Sequence, residues 1–269
     1  MTPKTPVGRP RGPRLIHPAK AEATTPPPFT GAWSPTDTRL DKVEKRPLPR
    51  GVGPEDVAID ADGGVLAGGD DGSIWRWPRD FVAGTGTDPN LVAETGGRPL
   101  GIEIDPRDGS VIVCDAWRGL LRLTPDGAVT ELATKASGTP IVFCNNAAVA
   151  RDGTVFFTDS STRYPLSAWK KDVLEHRPNG RLLRWEPGAR QAEVVCEELY
   201  FPNGVALTPD ETALLLVETS THRLVRFPLT GTAAGDPVEL ADLPAYPDNM
   251  SPVGEIGRAS CRERVWIPV

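Results

Sequence analysis

Short apolar runs alternate with tight polar turns between residues 53 and 254, and the pattern returns four times. It is carried by GPEDVAIDADGGVLAGGDDGSIWRW, RPLGIEIDPRDGSVIVCDAWRGLLRL, NNAAVARDGTVFFTDSS and FPNGVALTPDETALLLVETSTHRLVRF. Each stretch has an apolar strand, a turn and a second apolar strand. A third run of alternating apolar and basic residues follows, and in the third stretch it arrives late, as RLLRW. Alternation with a period of two predicts strands, and the Asp- and Gly-containing turns predict hairpins.

The repeats have a regular length. Equivalent positions are separated by 45, 45, 58 and 45 residues, and they are Glu55, Leu100, Asn145, Asn203 and Asp248. The longer step is explained by an insertion, TRYPLSAWKKDVLEHRPNG, part of which is compatible with a short helical turn. Small antiparallel sheets repeated every 40 to 50 residues or so are typical of β-propeller blades. The alternative is a β-sandwich whose strands resemble one another by chance, but a sandwich does not require the same strand-turn-strand pattern to recur four times at the same spacing.

The two ends of the chain lack this pattern. Residues 1–35 are rich in Pro, Thr, Lys and Arg. Such a segment buries too little apolar surface to offset the entropy of ordering, so we expect a disordered arm. The stretch 39–49 is compatible with an outer strand or a lead-in, and the propeller domain is expected over 36–254. Residues 255–269 show no strand-turn-strand pattern, and we expect them to be a non-native tail.

Composition and charge narrow the function. The 269 residues include 27 Gly and 29 Pro, which favours turns over long helices. A net charge of −6 without a basic stripe argues against nucleic-acid binding. No apolar run approaches the roughly 18 residues of a membrane helix, and no apolar run follows the basic N-terminus as in a secretory signal. Four cysteines without CxxC spacing indicate reduced thiols in a cytoplasmic protein.

Four of the five phase-matched positions carry side-chain oxygen atoms. In a propeller the first strand of each blade lines the central channel, so Glu55, Asn145, Asn203 and Asp248 are expected to converge on the axis. Two carboxylates and two amide carbonyls suit one divalent cation, with Ca²⁺ expected first and Mg²⁺, Zn²⁺ or Mn²⁺ as alternatives. The alternative is that these residues only cap turns, as Asn and Asp often do.

The motifs GPEDVAID, CDAWRGLLRL, NNAAVARDGTVFFTDSS, LYFPNGVALTPDE and PDNM resemble successive blades of the strictosidine synthase-like family. That family is part of a six-bladed propeller superfamily with gluconolactonases, regucalcin and paraoxonases. The resemblance implies a catalytic metal held by Glu55, Asn145, Asn203 and Asp248. A six-bladed ring needs roughly another 80 residues at this repeat length. The expected fold is therefore all-β, an incomplete six-bladed propeller of about four blades and the start of a fifth.

Metal-assisted hydrolysis of an ester or lactone is the activity that the resemblance implies. The ion polarises the carbonyl and lowers the pKa of a bound water, and a general base takes the water's proton. Asp248 is one candidate base, as in gluconolactonase-like enzymes. Asp115 in CDAWRG is another candidate, and its alternative role is a turn or an ion pair with Arg118.

Loop aromatic residues are candidates for substrate contact. Trp117 and Tyr164 could bind an apolar acyl or aromatic group of a small-molecule substrate, and plain packing is the alternative. Two other functions remain open: a non-catalytic binding propeller whose metal only pins the blades, and a condensing enzyme of the strictosidine synthase type. The condensing enzyme has no support in this sequence, and the oligomeric state stays undetermined.

Overall fold

The computed structural model describes most of the chain from residue 47 onward and parts of the N-terminal segment. The described residues are 12–13, 15–20, 27–28, 30, 47–82, 88–232, 235–253, 256–261 and 266–268, with side chains described except at 81–82 and beyond 251. Most of the segments 1–35 and 39–49, and part of 255–269, therefore lie outside the described residues.

The strands form successive antiparallel sheets, each of which follows chain order. Blade 1 consists of β1 (Val57–Ile59), β2 (Val65–Gly68), β3 (Ser73–Trp77) and β4 (Asn90–Glu94), with the short helix α1 (Arg79–Val82) before β4. Blade 2 consists of β5 (Pro99–Ile104), β6 (Val111–Asp115), β7 (Gly119–Leu123) and β8 (Val129–Ala133). A small hairpin, β9 (Lys135–Ala136) and β10 (Thr139–Pro140), leads to the next blade.

The insertion predicted from the longer step lies in the third sheet. Blade 3 consists of β11 (Cys144–Val149), β12 (Val155–Asp159), β13 (Gly180–Trp185) and β14 (Glu193–Leu199). Between β12 and β13 the chain forms a 3-10 helix, Leu166–Ala168, and then helix α2, Trp169–Glu175. The prediction of a helical turn in this insertion is confirmed.

Two further sheets complete the described part. Blade 4 consists of β15 (Pro202–Leu207), β16 (Ala213–Glu218), β17 (Arg223–Pro228) and β18 (Val238–Asp242). Within the described residues, blade 5 has three strands: β19 (Pro247–Val253), β20 (Ile256–Cys261) and β21 (Trp266–Pro268). The last two strands lie in the segment 255–269, whose sequence lacks the repeat pattern; the expectation that this segment is a non-native tail stays a prediction.

The sheets are arranged radially. The innermost strands β1, β5, β11, β15 and β19 contact one another in chain order. The side-chain amide of Asn249, on β19, also donates to the backbone oxygen of Glu55, just before β1, at 2.9 Å. The innermost strands thus surround a common axis, which confirms the predicted β-propeller. No helix among the described residues has the length and apolar composition needed to cross a membrane.

The apolar core is divided into layers between neighbouring blades. Successive residues of a strand point to opposite faces of its sheet, so each blade contributes to two layers. Phe157, for example, packs with residues of blade 2, whereas its neighbour Phe156 packs with residues of blade 4. Burial of such a side chain contributes about 1.5–3 kcal/mol, so these layers hold adjacent blades together. Cys114 and Cys144 are buried free thiols in the layer between blades 2 and 3.

The innermost strands share one irregularity. In blades 2 to 5 the pairing with the second strand skips two residues, at 100–101, 145–146, 203–204 and 248–249. Two residues therefore face one on the partner strand, which is a β-bulge and re-aims side chains. The first bulge residue is the phase-matched position predicted from the sequence spacing. In blade 1 the equivalent Glu55 and Asp56 directly precede β1.

Glycine occupies the second bulge position where innermost strands approach closely. A Cβ atom on Gly101 would lie 2.8 Å from the backbone oxygen of Asn145. A Cβ atom on Gly204 would lie 2.3 Å from the backbone nitrogen of Met250. Any larger residue would push neighbouring blades apart at the axis, so glycine is required by packing here.

The described part of the N-terminal segment lies against the blade-3 insertion. The backbone nitrogens of His17 and Ala19 donate to Glu175 at 2.7 and 2.9 Å, and Lys171 donates to the backbone oxygen of Pro13 at 2.7 Å. Residues 12–13 and 15–20 thus have defined contacts. The expectation of disorder for the rest of 1–35 falls mostly outside the described residues.

Candidate functional site

The four predicted metal ligands lie at the axial end of four blades. Asn203 donates its side-chain amide to Asp248 Oδ1 at 2.7 Å, which joins blades 4 and 5. The charge of Asp248 also acts on Glu55, from blade 1. Asn145 donates to Ser160 Oγ at 2.8 Å, and that hydroxyl donates to the backbone oxygen of Pro202, next to Asn203. We call Glu55, Asn145, Asn203 and Asp248 the axial ring.

Three oxygen atoms of the axial ring are buried without a hydrogen-bond partner. They are Glu55 Oε2, Asn145 Oδ1 and Asn203 Oδ1. Both asparagine side chains are nearly fully buried, and their NH₂ groups are bonded to protein acceptors, which directs the carbonyl oxygens elsewhere. A buried acceptor without a partner costs about 1–3 kcal/mol. A divalent cation would supply the missing partner, so the residues of the ring fit such an ion.

The electrostatics of the ring favour a cation. The pKa of Glu55 is raised to about 8 by burial first, and then by the negative charges of Asp248 and Asp56. The guanidinium of Arg98 acts in the opposite direction. The pKa of Asp56 is raised to about 6, mainly by burial. Like charges held in a buried site disfavour ionisation, and a bound cation would relieve this.

The residues that follow Glu55 and Asn145 link blades. Asn146 donates to Asp56 Oδ2 at 3.4 Å and accepts from the backbone nitrogen of Val205 at 3.1 Å. Asp56 in turn accepts from the backbone nitrogen of Ile102 at 3.1 Å. Asn146 and Asp56 therefore connect blades 1 to 4 directly beneath the ring.

Glu103 is a titratable residue near the axis that the sequence analysis missed. It lies on β5, two residues beyond the bulge, and its pKa is raised to about 8 by burial and then by the charge of Asp56. The available signal was a carboxylate inside the apolar run GIEID.

Among the described residues no cluster of three or more His, Cys, Asp or Glu side chains could hold a metal, and half of the axial ring is asparagine.

Asp115 belongs to a different structural set. It is fully buried, and its Oδ1 accepts from the backbone nitrogens of Arg98, Trp117 and Arg118 at 2.9–3.1 Å. The guanidinium of Arg118 instead bonds to Thr95 and Glu131. The turn alternative is therefore favoured over the ion pair, and the role of general base stays a prediction.

The same carboxylate position recurs at the end of the second strand in the next two blades. Asp159 accepts from the backbone nitrogen of Phe143 at 2.7 Å, and Glu218 accepts from that of Tyr200 at 2.7 Å. We call Asp115, Asp159 and Glu218 the strand-end carboxylates. Each of them fastens the segment that leads into the innermost strand of its own blade.

Tyr164 and Trp117 have different surroundings. Tyr164 is fully buried in the insertion, and Arg163 Nε donates to its hydroxyl at 3.1 Å. This placement favours packing, and substrate contact by Tyr164 stays a prediction. Trp117 is partly exposed and packs against a buried apolar cluster that includes Leu100. Leu100 is the blade-2 equivalent of the ring members, so Trp117 lies beside the ring.

Two phenylalanines precede the ring asparagines by two residues. The rings of Phe143 and Phe201 meet edge to face with centroids 5.5 Å apart, and Phe201 also lies 6.5 Å from Trp169. Phe201 has φ of 53°, a left-handed conformation that is rare for a bulky residue and costs of order 1–3 kcal/mol. The surrounding packing therefore holds this aromatic ring in a strained position beside Asn203.

Comparison with known proteins identifies relatives along most of the chain. The strictosidine synthase model matches residues 145–232, and the strictosidine synthase-like N-terminal model matches residues 31–77. Protein STRICTOSIDINE SYNTHASE-LIKE 13 of Arabidopsis thaliana is 34% identical over an alignment of 267 positions, which covers 90% of this chain and 66% of that protein. Adipocyte plasma membrane-associated protein of Bos taurus is 31% identical over 94% of this chain and 62% of its own length. The chain thus spans less than two thirds of the length of these relatives.

Solved structures share the fold at lower identity. A gluconolactonase from Xanthomonas campestris superposes with a TM-score of 0.61 at 22% identity, over 77% of this chain and 69% of its own. A chain of a nidogen–laminin complex superposes with a TM-score of 0.59 at 18% identity, over 77% and 71%. Similarity at this level establishes the propeller fold and leaves function to the residues of the site. The two family models and the sequence relatives show that the chain belongs to the strictosidine synthase-like family, whose fold in this chain is a β-propeller.

Proposed function

We propose that this propeller is the catalytic domain of a metal-dependent hydrolase that acts on lactones or esters. The observation that carries the proposal is the set of three buried, unpartnered oxygen atoms on Glu55, Asn145 and Asn203. All three belong to residues whose positions at the axis follow from the repeat. The gluconolactonase activity of one structural relative is compatible with this chemistry.

The four residues of the axial ring would hold the cation, with Ca²⁺ preferred because all the donors are oxygen atoms. When bound, the cation would polarise the substrate carbonyl and lower the pKa of a water molecule. Arg98 would help to keep Glu55 ionised, since its charge lowers the pKa of that carboxyl group. Arg98 itself is held by a hydrogen bond to the backbone oxygen of Gly53 at 2.6 Å.

Asp248 is the favoured general base. Its Oδ1 accepts the amide of Asn203, which fixes the orientation of the carboxylate at the ring. A carboxylate within hydrogen-bond reach of the attacking water can take the water's proton and later return it to the leaving group. Asp115 is less suited, because its Oδ1 accepts three backbone N–H groups and so holds the carboxylate in the turn. Its Oδ2 is buried without a hydrogen-bond partner, but it lies outside the axial ring.

A non-catalytic binding propeller is the second candidate. The observation that favours it is the network in which Asn249 bonds to Glu55 and Asn146 bonds to Asp56, since a cation above this network could serve only to pin the blades. The same fold in a nidogen–laminin complex shows that it also occurs in protein assemblies.

Hydrolysis assays with simple aryl esters and lactones separate the two candidates. Activity should be abolished by EDTA and restored by Ca²⁺ or another divalent ion. Asn203→Ala and Asp248→Ala should each lower kcat/KM at least about a hundredfold, as expected for loss of metal-site groups. Asn90→Ala, at an exposed position on β4, is the matched control and should retain full activity. Metal binding without any hydrolysis would favour the binding propeller.

A further inference from the structure

Blade 2 differs from the other four blades at the axis. Among the five phase-matched positions, all of which are described, only Leu100 lacks a side-chain oxygen. It occupies the first position of the bulge on β5, as Asn145 does on β11. One sector of the site is therefore bounded by hydrocarbon where its neighbours present ligand atoms.

Leu100 is part of a continuous apolar surface around that sector, which we call the apolar wall. Its buried members are Leu100, Ala116, Phe143 and Phe201, and its partly exposed members are Trp117, Leu166, Trp169 and Val173. The partly exposed members come from the loop after β6 and from the blade-3 insertion. The wall thus has a buried base beside the ring and a rim that reaches solvent.

The wall is joined to the axial ring through the backbone. Phe143 and Phe201 immediately precede the strands that begin the bulges, and each lies two residues before a ring asparagine. The left-handed conformation of Phe201 keeps its ring against Phe143 and Trp169. The charged groups near the ring, Arg98 and Asp56, interact with Glu55 in blade 1. Arg98 leads into β5 of blade 2, but its guanidinium bonds to Gly53 and its charge acts on Glu55. The charged groups therefore face blade 1, and the apolar wall lies beside Leu100.

We propose, on the basis of the hydrolase function proposed above, that the apolar wall binds the hydrocarbon part of the substrate. The substrate class is then an alkyl- or aryl-substituted ester or lactone, and polyhydroxylated sugar lactones are disfavoured. Hydroxyl groups of a sugar lactone would lose water against this wall, and its side chains offer few polar partners, which makes their burial costly. Leu100 is the central specificity-determining residue.

The test compares substrates that differ only in hydrocarbon length. With Ca²⁺-loaded protein, kcat/KM should rise about threefold per methylene from γ-butyrolactone to γ-nonalactone, as expected from the burial of each CH₂ group. D-Glucono-1,5-lactone should be at least about tenfold poorer than γ-nonalactone. Leu100→Asn should lower the ratio of the two by about tenfold, mainly through KM. Ile102→Val, on the same strand but in the layer between blades 1 and 2, is the matched control and should leave the ratio unchanged.

Trp169→Ala changes the partly exposed rim and provides a second variant in case Leu100→Asn does not fold. It should flatten the dependence on chain length. A readout without turnover comes from tryptophan emission titrated with 2-pentylcyclopentanone, a non-hydrolysable analogue, against cyclopentanone. The pentyl compound should bind at least about tenfold more tightly to the parent protein, and Trp169→Ala should remove most of this difference.

The outcomes separate the subsite from the hydrolase. If metal-dependent hydrolysis had a kcat/KM that did not change with hydrocarbon length, or that was highest for the sugar lactone, the apolar subsite would be wrong. The proposed hydrolase function would be unaffected. Selective ketone binding without hydrolysis would retain the subsite and reject the hydrolase. If the protein neither hydrolyses these substrates nor binds the ketone, both proposals are wrong.

Discussion

Blade 3 contains two kinds of buried polar side chain on adjacent strands, and they differ in whether their hydrogen bonds are completed. Asp159, a strand-end carboxylate, accepts from two backbone nitrogens and from the buried guanidinium of Arg181. Asn145, in the axial ring, leaves its carbonyl oxygen without a hydrogen-bond partner. Native proteins pair nearly all buried polar groups, so an unpaired one needs an explanation. In blade 3 the carboxylate that fastens the fold has partners on both oxygens, whereas the amide oxygen of the axial ring has none. The contrast does not extend to blade 2, because Asp115 Oδ2 there is also buried without a hydrogen-bond partner.

The largest effect is expected when a strand-end carboxylate is removed. Asp159→Ala leaves Arg181, which is 3% exposed, without its ion-pair partner and frees the segment before β11. Loss of one partner of a buried ion pair typically costs about 3–5 kcal/mol. Urea unfolding followed by circular dichroism should show this decrease in the free energy of unfolding. A decrease below about 1 kcal/mol would mean that Asp159 does not fasten the blade.

A smaller effect is expected at the axial ring, and it should depend on metal. Asn145→Leu removes the unpaired oxygen and one hydrogen bond to Ser160, so the stability of the metal-free protein should change by only about 1 kcal/mol. At Ca²⁺ a hundredfold above its Kd, the parent protein should gain about 2.7 kcal/mol. The variant should lose most of this gain.

The measurement is the shift of the unfolding midpoint with and without Ca²⁺, with EDTA in the metal-free samples. Ile102→Val serves as the control, because it changes an apolar layer between blades and no ring residue. An equal Ca²⁺-dependent shift in Asn145→Leu and in the parent protein would show that Asn145 is not a ligand.

The comparison also explains what the sequence could predict. The fold and the positions of the ring members follow from a repeated local pattern, since strand periodicity and turn residues are properties of neighbouring positions. Equal spacing between Glu55, Leu100 and Asn145 then places equivalent residues at one level of every blade. Because the local pattern repeats at equal spacing, it predicts which residues lie at the axis.

Contacts between blades could not be predicted in this way. Asp115 reads as a loop carboxylate suited to catalysis, and its three backbone partners become visible only when the turns are folded. The sequence places Tyr164 in a loop as a candidate for substrate contact, but in the folded insertion its side chain is fully buried. The strand at 256–261 pairs with β19 and the strand at 266–268 pairs with β20, although both lack the alternating pattern of the other blades. In each case the deciding interactions are with residues distant in sequence.

The next effect is a dependence of the stability of the metal-free protein on pH. Glu55 has a folded-state pKa of about 8, above its ordinary value because of burial and the charges of Asp248 and Asp56. The folded state therefore binds more protons than the unfolded state between pH of about 4.5 and 8. The free energy of unfolding of the metal-free protein should fall as pH rises through this window, by at most about 1.4 kcal/mol per pH unit for one group. Glu55→Gln should reduce this slope.

Glu103 provides the matched control for this prediction. Its pKa is also about 8, for which burial is the main cause, so Glu103→Gln should reduce the slope as well. Ca²⁺ affinity should rise by up to about tenfold per pH unit between pH 6 and 8 in the parent protein, because binding displaces a proton. This rise should persist in Glu103→Gln and disappear in Glu55→Gln. If Glu55→Gln and Glu103→Gln bound Ca²⁺ equally well, Glu55 would not be a ligand of the cation.

The smallest effect is expected from an ion pair on the same blade but at its outer edge. Arg184 and Glu193 face each other across β13 and β14 at 2.8 Å, with side chains that are 40% and 68% exposed. Arg181 and Asp159 meet at a similar 2.9 Å, but both are buried. Exposed pairs contribute about 0–1 kcal/mol because water and salt screen them, so Glu193→Gln should shift the free energy of unfolding by no more than about 0.5 kcal/mol. If urea unfolding showed the same loss in the free energy of unfolding for Glu193→Gln and Asp159→Ala, burial would not explain how much each ion pair contributes to stability.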